Sequence, residues 1–164
     1  MLGYDYSRDN LYFVTICVKD RKCCLGSVDT GGAGRDLPVL DMNKYGKIVE
    51  ERILWLANQY KYVKIHNYVV MPNHVHIIVE IDSQSVDEKE IKIKSLSSLI
   101  GALKTTSSKL IHLSGFLEFS WQRSFHDRII RSKQAYIRIA NYIESNPENW
   151  AKDSLNRKGQ NNSS

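Results

Sequence analysis

Cysteine, proline and long apolar runs are scarce in this chain, and acidic residues are nearly missing from one third of it. Three cysteines, Cys17, Cys23 and Cys24, form an odd set without CxxC spacing among the 164 residues. That argues against a disulfide scaffold and makes a reducing cytoplasm the expected setting. No apolar stretch approaches the roughly 20 residues that span a bilayer, so no membrane segment is expected. The opening Met1-Leu2-Gly3-Tyr4-Asp5-Tyr6 carries no signal-peptide pattern. Between Lys92 and Arg138 only Glu118 and Asp127 oppose nine basic residues, among them Lys104, Lys109, Arg123, Arg128, Arg131 and Lys133. This stretch exceeds the net charge of the whole chain, +5. Such clustering is the footprint of a phosphate-backbone binder or of a solvated helix face.

What is present suffices for one domain. The length fits a single domain with a real core, and the hydrophobic share, 42%, carries no disorder signature over most of it. The expected domain covers residues 1–152. Residues 153–164 have no apolar pattern and read as a disordered tail. No repeat or linker divides off a second domain.

Taken in order, residues 11–18 are aromatic and β-branched and predict a strand with two largely apolar faces, hence a central one. Residues 26–38 hold four glycines and Pro38 and predict a loop. Its Gly31-Gly32-Ala33-Gly34-Arg35 lacks the Lys-Ser/Thr ending of a phosphate loop. Asp41 can cap a helix to about Asn58, and residues 61–70 and 74–81 predict two strands joined at Met71-Pro72-Asn73. Residues 82–90 are a polar loop, and 94–113 carry a helical stripe from Leu96 to Ile111. Gly115 ends that helix; residues 125–131 predict a fourth strand; Ser132 caps a last helix that Pro147 interrupts. The order strand, helix, strand, strand, helix, strand, helix predicts an α+β, ferredoxin-like fold. In it a four-stranded antiparallel sheet has helices packed on one face, plus a C-terminal helix.

Two constellations carry chemistry. In His74-Val75-His76 the period of two puts both imidazoles on one sheet face, with Val75 and Ile77 on the other. On spacing alone the pair is either half of a divalent-metal site or two histidines on a polar face. In the last helix Tyr142 and Asn146 are four apart and share a face. Tyr136 lies about 120° round from Tyr142, so the two tyrosines do separate jobs. Trp121 either stacks on a base or belongs to the core, and His66 and His126 read as structural.

Together these residues resemble the HUH single-tyrosine transposases, and most of all their REP-associated branch. The likeness rests on Val-Val-Met-Pro-Asn before His74-Val75-His76, on Trp121-Gln122-Arg123, on the 125–131 strand and on Tyr142-Ile143-x-x-Asn146-Pro147. The resemblance implies that His74 and His76 bind a metal, with Asn146 as a third ligand, and that Tyr142 is the nucleophile. Tyr136 is the alternative nucleophile; Tyr142 is preferred because it alone has an amide one turn downstream on its own face. It further implies magnesium or manganese, and cleavage of single-stranded DNA beside a hairpin to a 5′-phosphotyrosine and a free 3′-OH, which rejoin. Imidazoles with an amide oxygen would hold such an ion weakly. Lys104, Lys109, Arg123, Arg128, Arg131 and Lys133 become candidates for DNA-backbone contacts. The rival expectation is a catalytically silent, hairpin-binding descendant of such an enzyme. Related transposases act as homodimers or as monomers.

Overall fold

Alternating β-branched and aromatic residues pair into the sheet that positions everything else. The structure, a computed structural model, describes residues 4–29, 38–87, 91–150 and 155. Its elements in chain order are β1 (Leu11–Cys17), β2 (Gly26–Asp29), β3 (Val39–Met42), α1 (Lys44–Gln59), β4 (Val63–Val70), β5 (His74–Ile81), α2 (Leu96–Leu113), β6 (His126–Ile129) and α3 (Lys133–Glu144). Four strands form one antiparallel sheet in the order β4-β5-β1-β6. This is the ferredoxin-like arrangement that the element order predicts. β1 is central, as its two apolar faces require.

The two faces of the sheet are covered differently. On one, Val14, Ile16, Val75, Ile77 and Val79 pack with Val49, Ile53 and Leu56 of α1 and with Leu99, Ile100, Leu103 and Ile111 of α2. Each such fully buried side chain contributes about 1.5–3 kcal/mol. On the other, Leu11, Val69 and Ile78 pack with Ile139 and Ile143 of α3. Trp121 belongs to the first core: it is 8% exposed and its Nε1 donates to Ser107 Oγ at 2.9 Å.

Three expectations need correction. Residues 26–29 are not loop but β2, which pairs antiparallel with β3. Glycine content hid the strand: a Cβ on Gly26 would overlap the Asp41 carbonyl of the partner strand, so glycine there serves close pairing. Asp41 consequently lies in β3, and Asn43 caps α1 by accepting from Tyr45 N at 2.9 Å and Gly46 N at 3.0 Å. The fourth strand is shorter than expected, four residues. Ser132 does cap α3, accepting from Ala135 N at 3.1 Å. Gly115 closes α2 with φ 110, a value that favours glycine. The glycine-rich 31–35 and the tail 153–164, apart from Leu155, lie outside the described residues. Among the described residues no helix is long and apolar enough to cross a membrane.

Candidate active site

β5 begins with the two histidines, and cross-strand register determines what surrounds them. His76 lies opposite Thr15 of β1, and Thr15 in turn lies opposite His126 of β6. Two residues along, Cys17 faces His74; two along in the other direction, Phe13 lies between Ile78 and Arg128. Directly opposed residues share a face, so these side chains stand on the α3 side. The His74 and His76 rings are 4.6 Å apart, centroid to centroid.

Both imidazoles are buried, His74 at 0% and His76 at 3% exposure. Each is oriented through Nδ1. His76 Nδ1 lies 2.9 Å from Thr15 Oγ1, and His74 Nδ1 lies 2.8 Å from Asn73 Oδ1. The Nε2 atoms of both rings and Oδ1 of Asn146 are buried atoms as well. Burial lowers the pKa of His74 from 6.5 to about 4, while the Asn146 side chain beside it works in the opposite direction. His74 is therefore neutral at pH 7, the form that can ligate. Trp150, 7% exposed, stacks on its ring at 6.0 Å. Among the described residues no group of three His, Cys, Asp or Glu suits a metal ion. The donors assembled here are instead two imidazoles and an amide.

α3 crosses above this face on Ile139 and Ile143, which turns Tyr142 toward the histidines. Its ring stands 5.2 Å from that of His76, edge to face, and 6.4 Å from Phe13. Tyr142 is 42% exposed, so a substrate can reach it. Tyr136 points elsewhere: its ring lies 6.0 Å from His66, and burial raises the pKa of its hydroxyl. Beside Tyr142 opens a cavity of about 600 Å³ lined by His76, His126, Arg128, Arg138 and Tyr142 together with Cys17.

The six basic candidates separate into groups. Arg128 lines the Tyr142 cavity, its guanidinium 5.8 Å from the Phe13 ring centre. Lys109 and Arg123 line an open groove of about 640 Å³ along α2, and Arg123 also lines a second, about 690 Å³, with Lys19 and Arg21. Lys104 lies in the first groove, but its ammonium is committed to the carbonyls of Gln122, Arg123 and Ser124 at 2.9, 3.3 and 3.1 Å. Arg131 is 3.4 Å from Asp9, and Lys133 stands exposed in the first turn of α3. Of the hydroxyls of residues 105–108, Thr106 and Ser107 turn inward onto helix carbonyls, while Thr105 and Ser108 face the groove.

Sequence reasoning missed Arg138, His126 and Asn73. Arg138 had a signal, since it precedes Tyr142 by four and shares its face. His126 had none, because its place beside Thr15 depends on the register of a strand more than 100 residues away. Asn73 carried only the signal of a turn residue.

Comparison with known proteins supplies the frame for this geometry. The family model "Transposase IS200 like" matches residues 42–146, a stretch that runs from the end of β3 through His74, His76 and Tyr142 to Asn146. An uncharacterized protein of Haemophilus influenzae is 29% identical over 165 residues, spanning 93% of this chain and 88% of that protein. Among solved structures, a REP-associated tyrosine transposase bound to a REP hairpin superposes with a TM-score of 0.58 at 19% identity, covering 85% of this chain and 67% of that one. A Deinococcus radiodurans R1 protein provisionally assigned as a transposase gives 0.52 at 16% identity, covering 82% of this chain and 88% of that one. These two share the fold of this chain. With the family match covering residues 42–146, the histidine pair and its facing tyrosine included, this protein belongs to the IS200-like transposase family.

Proposed function

We propose that this chain is a metal-dependent HUH nuclease and strand transferase that cuts and rejoins single-stranded DNA at hairpin-flanked sites through a phosphotyrosine at Tyr142. The observation that carries the reading is the 5.2 Å approach of the Tyr142 ring to His76, itself 4.6 Å from His74. The donor set fits a divalent ion: two buried imidazoles oriented by oxygen partners, that of His74 kept neutral, with the buried Asn146 amide beside it. His74, His76 and Asn146 would hold it. When bound, magnesium or manganese supplies Lewis-acid polarisation of a non-bridging phosphate oxygen.

The chain's own residues do the rest. A tyrosine hydroxyl, with an ordinary pKa near 10, is a weak nucleophile at neutral pH. Tyr142 Oη attacks phosphorus, the O–P bond to tyrosine forms and the P–O3′ bond breaks. The phenolic proton is given up, and the departing 3′ oxygen gains one. Arg128 and Arg138 at the same cavity offset the phosphate charge. Attack by a 3′-OH on the phosphotyrosine reverses the step, so the bond energy is conserved and no nucleotide cofactor is needed. Lys109, Arg123, Arg131 and Lys133 hold the backbone away from the cut. Tyr142 lies beside the histidines of its own chain, so the chemistry does not require a homodimer. One domain over residues 1–152, acting in the cytoplasm, completes the reading.

The test is a denaturing gel for a covalent protein–DNA adduct, using manganese and hairpin-bearing single strands. Wild type and Tyr136→Phe form the adduct; Tyr142→Phe and His76→Ala do not. Tight hairpin binding without any adduct would make the protein a silent hairpin binder instead.

A further inference from the structure

We propose that Asn73 is a positioning residue: it fixes the His74 ring in the Nδ1–H tautomer and so presents Nε2 as the lone-pair nitrogen of the site. The proposal rests on the metal reading above for its consequence, but not for its geometry.

Asn73 is 0% exposed and its side chain joins three segments. Its Nδ2 donates to the Arg21 carbonyl at 3.2 Å and to the Leu155 carbonyl at 2.6 Å. Carbonyl oxygens only accept, so the atom facing them must be the amide nitrogen. The amide orientation is thereby set, and Oδ1 is the atom 2.8 Å from His74 Nδ1. An amide oxygen also only accepts, so His74 Nδ1 carries the hydrogen. A neutral imidazole carries a single N–H, so with the hydrogen on Nδ1 that N–H is spent and Nε2 holds the lone pair.

His76 is held differently. Its Nδ1 partner is the Thr15 hydroxyl, which donates or accepts equally well. That contact orients the ring without choosing a tautomer. The two histidines of one motif therefore have unequal supports, and the fixed one depends on Asn73.

The surroundings hold Asn73 itself in place. Its carbonyl accepts from Val18 N at 2.9 Å, and Pro72 O accepts from Leu25 N at 2.9 Å. The turn that offers the Arg21 carbonyl keeps Asp20 and Arg21 at φ 57 and 53, a left-handed conformation that non-glycine residues rarely adopt. Leu155 follows α3 and also lines the Tyr142 cavity. One buried amide thus ties the histidine to Leu155.

The experiment reads the imidazole nitrogens directly, by long-range ¹H–¹⁵N NMR on metal-free protein at pH 7.5, with Mn²⁺ titrations on the same samples. Wild-type His74 shows the Nδ1–H pattern. Asn73→Ala moves it toward Nε2–H, the form the free side chain prefers, and weakens Mn²⁺ binding about 10- to 100-fold. Asn73→Asp loses the donor to the Arg21 and Leu155 carbonyls but keeps an acceptor toward Nδ1, and so keeps the hydrogen on Nδ1. An Nδ1–H pattern that persists in Asn73→Ala overturns the proposal, as does Nε2–H in the wild type, which decides the matter even if the alanine variant does not fold. Tautomers that follow Asn73 while no sample binds Mn²⁺ support the Asn73 assignment and overturn the metal reading.

Discussion

The two faces of one sheet obey different rules, and β5 belongs to both. Toward α1 and α2 it sends Val75, Ile77 and Val79, all buried in an apolar core. Toward α3 it sends His74, His76 and Glu80 beside Ile78, all buried too. Polar groups on that second face are tied up individually: Glu80 meets His66 Nε2 at 2.9 Å, and the histidines meet Asn73 and Thr15. Burying such groups lowers stability unless each finds a partner. One face builds the fold, and the other forgoes part of that stability to hold a site.

The sharpest break in this comparison is to make the second face resemble the first. His76→Leu should cut adduct formation roughly 100- to 1000-fold or more, while leaving thermal stability within about 1 kcal/mol of wild type or above it. Calorimetry beside the gel assay checks both halves. A large loss of stability would mean that the histidine is part of the scaffold.

The opposite cut falls on the first face. Ile77 is 1% exposed, and Ile77→Ala should cost about 2–5 kcal/mol in denaturant unfolding. Per folded molecule at low temperature, adduct formation should stay near wild type.

Acid should distinguish the faces as well. His74 has a folded pKa of about 4, below its ordinary 6.5. Above 6.5 the ring is neutral in folded and unfolded chains alike, and stability is fully present. As pH falls from 6.5 toward 4 the unfolded chain takes up the proton first, so stability declines by about 3 kcal/mol in chelated protein. Urea titrations at pH 7.5 and 4.5 read the change, and His74→Leu should flatten it.

The smallest effect separates Arg138 from Lys104. Arg138→Gln should weaken hairpin binding and lower the salt slope by about 1. Lys104→Met should leave the slope nearly unchanged, because its ammonium already serves three carbonyls. Equal slopes for both variants would remove that distinction.

Much of this contrast was legible in sequence, for a physical reason. Period two placed His74 with His76 and Val75 with Ile77, whereas helical spacing does not carry Asn146, which lies beyond the end of α3 at Glu144. Such local periodicities survive without knowledge of the fold. Pairing does not. β2 was hidden by Gly26, which permits the close approach of its partner strand, and His126 joins the site only through register with Thr15. Asn73 looked like a turn residue because its three contacts come from residues 21, 74 and 155.

The central claim is that the polar face exists to bring Tyr142 onto a phosphate. Digesting the trapped protein–DNA adduct and locating the nucleotide mass by tandem mass spectrometry tests it most directly. The account predicts the phosphodiester on the peptide bearing Tyr142. Its appearance on Tyr136 would contradict it, because that ring lies beside His66 and away from the histidine pair.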